Sequence, residues 1–430
     1  MAIRASRRQF LKTTAATGIG YWVAGGVQAQ QSNSPNERIA MASVGIGGKG
    51  SSDSGDAGRH GDMVAICDVD TGRLDGAGNK FDKAKKYTDF RKMLEEMEKS
   101  IDAVTVSTPD HVHAPAALMA MRMGKHCFCQ KPLTHSIYEA RLMGQVAREK
   151  GLATQMGNQG TASDGLRRAA ALMRAGAIGT VKEVHVWTNR PIWPQGGPRP
   201  EPKDPPEHLK WDLWLGPAPK RPYGNGYHPF AWRGWWDFGT GALGDMACHE
   251  MNMAHMGLNF HNPISVQAVT SKHNKDSFPK WSVITYEFAD DDSRPGVKMV
   301  WYDGGKMPNE ALFEGQKPSG SSLIVGDKGK INGGQLIGGT DMEVEYPKSP
   351  GHFEEWVRAI RGGEPAVSNF PDYASPLTET VLLGNLAVWV AADGEGPKVQ
   401  WDSKNMKATN IDGLESLVKP QYGEGYTLDV

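Results

Sequence analysis

An apolar run from Ile39 to Val44 ends in Gly45-Ile46-Gly47-Gly48-Lys49-Gly50. A G-x-G-x-x-G turn placed directly after a strand admits few folds. Gly45 permits the tight turn, Gly47 lets backbone approach a phosphate, and Gly50 lets the next helix pack on the strand. Gly48 shares the same cradle. The helix N-terminus then meets negative charge. Further apolar runs at 63–67, 101–106, 126–129 and 152–156 read as strands, and helical spacing at 118–123 and 138–150 reads as helices between them. This alternation predicts a parallel, doubly wound sheet. Asp68 ends the second strand, 18 residues after Gly50. A carboxylate there accepts hydrogen bonds from ribose hydroxyls. It also repels a 2′-phosphate, which favours NAD over NADP. Asp70 is a second candidate for that role.

From Gly157 the texture changes. A helix is predicted over 165–175 and a strand over 181–189. The stretch 191–229 then carries 11 of the chain's 27 prolines with little periodicity. A long irregular segment inside a compact protein is usually functional or a packing arm. Strands are predicted at 264–271, 281–288, 297–302 and 322–326, consistent with a mixed or antiparallel sheet. Helices 351–361 and 374–392 close the chain. At 430 residues the protein exceeds one ordinary core and fits two domains.

The N-terminus reads as an address. Arg7-Arg8 precede Gln9-Phe10-Leu11-Lys12, a weakly apolar stretch runs from Thr13 to Gly26, and Val27-Gln28-Ala29 offers a small-residue cleavage site. The paired arginines resemble a twin-arginine export signal. Its apolar run is too short and glycine-rich to span a bilayer well. Cleavage after Ala29 removes four basic residues and no acids, taking the formal net charge from −1 to −5. No basic excess exists to hold a phosphate backbone, so nucleic acid is not an expected partner. Cys67, Cys127, Cys129 and Cys248 read as small core residues, since Cys127 and Cys129 share a strand face with poor disulfide geometry.

Ser107-Thr108-Pro109-Asp110-His111-Val112-His113 and Gln130-Lys131-Pro132-Leu133 each follow a predicted strand. Ligands bind at the carboxyl ends of strands in open α/β sheets. Together with the glycine turn and Ala231-Trp232-Arg233-Gly234-Trp235-Trp236…Asp245-x-x-x-His249, these segments resemble the glucose–fructose oxidoreductase / inositol dehydrogenase (Gfo/Idh/MocA) family. The resemblance implies a Rossmann NAD-binding domain over 30–156, after a signal over 1–29. An α/β domain with an open, largely antiparallel sheet would follow over 157–430. It assigns Lys131, Asp245 and His249 to catalysis. Thr108, Pro109, Asp110 and His111 belong to a loop beside the nicotinamide ribose, and Trp232 and Arg233 contact the cofactor from the second domain. It also implies a homo-oligomer, a dimer or tetramer. Gln130 stands where the family has Glu, which removes a negative charge beside Lys131. Asp110 stands where many relatives have Asn.

The residue types fit carbinol oxidation. Asp245 and His249 are spaced i, i+4, so a helix puts them on one face. His249 suits a general base, Lys131 can stabilise developing alkoxide charge, and Asp245 can bind a hydroxyl or orient the imidazole. No third ligand completes a metal site with them. Trp232, Trp235 and Trp236 beside Arg233, and Trp187 and Trp193 around Arg190, suit sugar faces and hydroxyls or core packing. Substrate contacts are expected from Arg190, Trp236 and Asn158, with Gln159 beside it. An exported NAD enzyme meets no cofactor pool, so tightly retained NAD is expected. Three readings follow: an oxidoreductase acting on a sugar or glycoside hydroxyl, a redox-neutral glycosidase or lyase working by transient C3 oxidation and elimination, and a non-catalytic NAD-containing sugar-binding protein.

Overall fold

The computed structural model describes residues 38–292 and 294–428; the export signal expected over 1–29 lies outside them. The first sheet has six parallel strands: β1 (Ile39–Val44), β2 (Gly61–Cys67), β3 (Lys85–Tyr87), β4 (Ala103–Val106), β5 (His126–Cys129) and β6 (Thr154–Met156). Their order is β3-β2-β1-β4-β5-β6. The connection leaving β1 runs towards β2 and the one leaving β4 runs the opposite way towards β5, so the loops at their carboxyl ends part and open a crevice there. Helices α1 (Lys49–His60), α2 (Thr71–Lys80), α3 (Phe90–Met97), α4 (Asp110–Arg122) and α5 (Ile137–Lys150) make the crossovers. Buried Val44, Ala65, Val104, Val106 and Cys127 continue into the central core, as near-continuous apolar strands covered on both faces should. β3 was not predicted, because Lys85-Lys86-Tyr87 is a polar edge with no apolar period. The first two turns of α4 were also missed: Asp110, His111 and His113 are buried there without helical amphipathicity.

The second sheet is ten-stranded. Its strands are β7 (Val181–Trp187), β8 (Ser265–Thr270), β9 (Ser282–Phe288), β10 (Val297–Tyr302), β11 (Ser322–Gly326), β12 (Gly329–Asn332), β13 (Gln335–Gly338), β14 (Gly394–Glu395), β15 (Val399–Asp402) and β16 (Lys407–Ala408). Pairing is antiparallel except between β10 and β7. Helix α6 (Asp164–Arg174) precedes β7, and α7 (Trp211–Leu215) lies in the proline-rich stretch. Helices α8 (Gly241–Glu250), α9 (Asn252–Leu258) and α11 (Ser375–Ala391) share the central core with the buried sheet residues Ile284, Tyr286 and Trp301. Helix α10 (His352–Ile360) returns to the first sheet, where Phe353 and Trp356 pack with Met41, Ile66 and Phe128. The proline-rich stretch builds a small core of its own from Trp211, Trp214, Tyr223 and Tyr227 with Trp232, Trp235 and Phe238. It docks on the end of β2 through Lys210 N–H to Val69 O (2.9 Å) and Thr71 N–H to His208 O (2.8 Å). All four cysteines are buried and free. Among the described residues no helix is long and apolar enough to cross a membrane.

Candidate active site

A cavity of about 530 Å³ runs along the carboxyl ends of the first sheet and under the second domain. Its floor is the glycine turn. Gly45 N–H donates to Cys67 O (2.8 Å) and Ser107 N–H to Val44 O (2.8 Å), which ties the turn to both neighbouring loops. Gly45 has φ +78°, and a Cβ there would lie 2.6 Å from Ser107 O. A Cβ on Gly50 would lie 2.0 Å from Gly45 O, so α1 reaches the turn only because residue 50 has none. Gly45, Gly47 and Gly48 line the cavity; Gly50 sits behind them. Asp68 also lines it. Its Oδ2 accepts from Ile46 N–H (3.0 Å) and its Oδ1 from Asp70 N–H (2.9 Å), leaving lone pairs on both oxygens for ribose hydroxyls. Burial raises its carboxyl above the usual carboxylate value, against those two N–H donors. These residues fit a dinucleotide.

Asp70 does not join them. Its Oδ1 caps α2, accepting from Gly72 N–H (3.0 Å) and Arg73 N–H (3.1 Å). Arg73 was missed from the sequence. Its guanidinium lies where a Cβ on Gly47 would come within 2.4 Å of it, so a positive charge overhangs the turn. Its position in the first turn of the helix after Asp68 was the available signal.

Lys131, Arg233, Asp245 and His249 all line the cavity as well. Helix α8 carries Asp245 and His249, one turn apart. Lys131 Nζ donates to Asp245 Oδ1 (3.0 Å) and to Asp245 O (2.5 Å), and Arg233 Nε donates to the same Oδ1 (2.9 Å). Burial alone would raise the Asp245 carboxyl; Lys131 and Arg233 outweigh it and hold the group below its usual value. Asp245 therefore clamps two cations and makes no hydrogen bond to His249. The imidazole has no hydrogen-bond partner among the described residues. Burial, then the nearby Lys131 charge, lowers its pKa to about 3, so it is a neutral base throughout the physiological range.

Gln130 donates from Nε2 to Asp53 Oδ2 (2.8 Å), and Ser107 Oγ donates to the same oxygen (2.7 Å). Lys49 pairs with the other oxygen. The carboxylate absent at position 130 thus has a buried counterpart on α1, 1% exposed. Thr108, Pro109 and Asp110 line the cavity. The Asp110 carboxyl is pushed up to about 6 by burial, opposed by the Thr240 Oγ hydrogen bond (2.6 Å) and the Arg233 charge. A carboxyl raised in the folded state favours folding below its unfolded value near 3.8, and that contribution is lost as pH rises through about 6. Asp110→Asn keeps the Thr240 acceptor and removes the buried charge. It should stabilise the protein at pH 8 by on the order of 1–3 kcal/mol, with the gain shrinking towards pH 4, in chemical denaturation at both pH values.

Three expected contacts lie elsewhere. His111 faces away from the cavity, its ring nitrogens 3.2 Å from Phe238 O and 3.1 Å from Trp214 O, and it braces the proline-rich arm. Asn158 is fully buried; its Oδ1 accepts from Ser368 Oγ (2.5 Å) and its Nδ2 donates to Cys248 O (3.4 Å). Gln159, one residue on, reaches the cavity instead. Trp236 stacks on Phe278 at 3.7 Å in a separate cavity, because the chain becomes extended after the 3₁₀ turn Ala231–Gly234 and neighbouring side chains diverge. Trp232, Arg233, Arg190 and Trp193 do line the main cavity. The Arg233 guanidinium lies 4.2 Å from the Trp232 ring centroid and 4.9 Å from that of Phe230, a residue that lines the cavity and is 46% exposed.

Residues 38–158 match the NAD-binding Rossmann fold of the Gfo/Idh/MocA oxidoreductase family, and residues 177–420 match its C-terminal α/β domain. The chain belongs to the Gfo/Idh/MocA family. Its first domain is therefore an NAD-binding Rossmann fold, as the glycine turn and Asp68 predict. Levoglucosan dehydrogenase from Pseudarthrobacter phenanthrenivorans is 25% identical over 41% of this chain and 38% of its own length. The 2,7-anhydro-N-acetylneuraminate hydratase of Escherichia coli is 29% identical over 21% of this chain and 26% of its own. The chain thus aligns with well under half of each of these curated relatives. Among solved structures, the WlbA dehydrogenase from Bordetella pertussis in complex with NADH and UDP-GlcNAcA superposes with a TM-score of 0.57. That match covers 83% of this chain and 96% of the other at 17% identity, and it speaks for the fold.

Proposed function

We propose that this Gfo/Idh/MocA protein is an exported oxidoreductase that holds NAD tightly and acts on a sugar or glycoside hydroxyl. The observation that carries the reading is the meeting of Lys131, Arg233, Asp245 and a neutral His249 at one end of a dinucleotide-sized cleft. Bound NAD supplies a hydride acceptor. Lys131 Nζ, held by Asp245, donates a hydrogen bond to the oxygen of the carbon being oxidised and stabilises the charge that develops there. His249 accepts the hydroxyl proton. Arg233 and Arg190 bind further hydroxyls, and Trp232, Trp193 and Phe230 offer apolar faces to ring C–H groups. Export rests on Arg7-Arg8 and the segment after them, and retention on the lack of a cofactor pool at that destination.

A second reading is redox-neutral cleavage. A relative named as a hydratase favours it, since addition or loss of water leaves no net oxidation. A carbonyl formed transiently on the substrate acidifies the neighbouring C–H, and His249 serves as the base that removes that proton.

Protein purified from its native host and incubated with a chromogenic glycoside, without added NAD, separates these readings. A keto product with stoichiometric nicotinamide absorbance is expected of the dehydrogenase. Release of aglycone over many turnovers would establish cleavage. Neither outcome across a broad sugar panel would defeat both and leave a sugar-binding protein.

A further inference from the structure

The C-terminal segment is built into the nucleotide cleft. Leu414 and Val418 at one end and Leu428 at the other are buried in the central core, so residues 414–428 form a strap anchored at both ends. Between the anchors, the Tyr422 hydroxyl bonds the Glu139 carboxylate on α5, and Gly423 N–H donates to Pro217 O (2.9 Å). The strap thus bridges the first domain and the arm from the second half. It next crosses the start of α3. Arg91 Nη1 donates to Gly425 O (2.9 Å), joining residues 334 apart in sequence. The Arg91 guanidinium lies 4.3 Å from the Tyr426 ring centroid. Arg91 is itself fixed by a fork to Asp89, Nε to Oδ1 (3.0 Å) and Nη2 to Oδ2 (2.7 Å).

Tyr426 lines the main cavity with Thr88, Asp89 and Phe90, and its ring centroid is 6.3 Å from that of Phe90. These residues stand at the carboxyl end of β3, beside Asp68, which directly follows β2 and donates its N–H to Tyr87 O (3.1 Å). Lys131 and His249 stand at the other end of the cleft, beyond β4. The strap therefore bounds the end where the adenosine half of the dinucleotide belongs, and what it offers there is an aromatic ring held by a fixed guanidinium. A purine has a π-face suited to such a partner.

We propose that the strap 414–428 is a clasp on the adenosine half of NAD, with Tyr426 as its contact residue and Arg91 as its pin, and that it sets the rate at which NAD leaves. This rests on the reading of retained NAD for its consequence but not for its contacts. Two measurements on the holoenzyme keep the two apart: the NAD dissociation rate, followed after dilution into excess labelled NAD, and the affinity for ADP-ribose, which lacks the nicotinamide. Tyr426→Ala should release NAD about tenfold faster or more and weaken ADP-ribose by a similar factor. Tyr426→Phe, which keeps the ring, should match the unmodified protein. Arg91→Gln removes the pin without touching the ring and should shift both quantities in the same direction; it serves if Tyr426→Ala fails to fold. A folded Tyr426→Ala protein with unchanged NAD release and unchanged ADP-ribose affinity overturns the clasp. Rapid NAD loss from the unmodified protein would sink retention and leave the ADP-ribose ratio to decide the clasp.

Discussion

His249→Ala should lower kcat by about 10²- to 10⁴-fold while NAD affinity stays within a few-fold. The size follows from the work assigned to the ring. A general base positioned by the fold replaces a proton acceptor that would otherwise have to be recruited from solvent. The imidazole is available for this because no group among the described residues hydrogen-bonds it: Asp245, one turn earlier, is committed to Lys131 and Arg233. Lys131→Ala should cost about 10²- to 10³-fold in kcat by removing the donor to the reacting oxygen. It also leaves Asp245 with Arg233 as its remaining partner. A pH signature accompanies these losses. With its pKa lowered to about 3, His249 does not titrate near 6.5. The kcat/KM profile, measured on Asp110→Asn so that the carboxyl titrating near 6 is absent, should show no histidine limb between pH 6 and 8. A clear inflection near 6.5 that disappears in His249→Ala would mean the ring is solvated and charged, and the neutral-base assignment would fall.

The elements readable from sequence are those whose period survives in a buried setting. β1, β2 and β5 are short apolar runs covered on both faces, α5 carries apolar spacing on its buried side and α11 is apolar nearly throughout, and each lies within two residues of its expected position. The polar edge strand β3 and the glycine-rich α1 lack that pattern, and β12 and β13 are short hairpin strands that local composition does not distinguish from turns. The site divides along the same line. Residues placed by local chain geometry do reach the cavity: Gly45, Gly47 and Gly48 of the turn, Asp68 just after its strand, and Asp245 and His249 one helical turn apart. Asn158 and Trp236 were misplaced because their partners, Ser368 and Phe278, are remote in sequence. Asp53 and Tyr426 went unread for the same reason. Asp53 meets Gln130 across 77 positions, and Tyr426 reaches the cleft only through the fold of the last strap.

Gly50→Ala should reduce NAD affinity on the order of 100-fold or more, and Gly48→Ala much less. The two residues are neighbours in one turn but fail for different reasons. A methyl on Gly50 meets Gly45 O at 2.0 Å, Gly45 C at 2.7 Å and the Ser107 Cβ at 3.2 Å. The first two are backbone atoms of the turn itself, so no rotamer relieves the clash. The start of α1 must move back by roughly 1 Å to restore ordinary van der Waals separation. That withdraws the helix N-terminus from the phosphates and forfeits charge-assisted hydrogen bonds of about 1.5–3 kcal/mol each. Gly48 instead has φ +54° with nothing within 4 Å of an added Cβ. With ψ −121° that backbone lies outside the left-handed helical region open to other residues, so alanine there is strained by on the order of 1–3 kcal/mol with and without ligand; stability falls and affinity moves less than about tenfold. Titration calorimetry of the apoprotein and thermal melts of both variants measure the contrast. Equal affinity losses at the two positions would mean that the approach of α1 to β1 does not build the phosphate cradle.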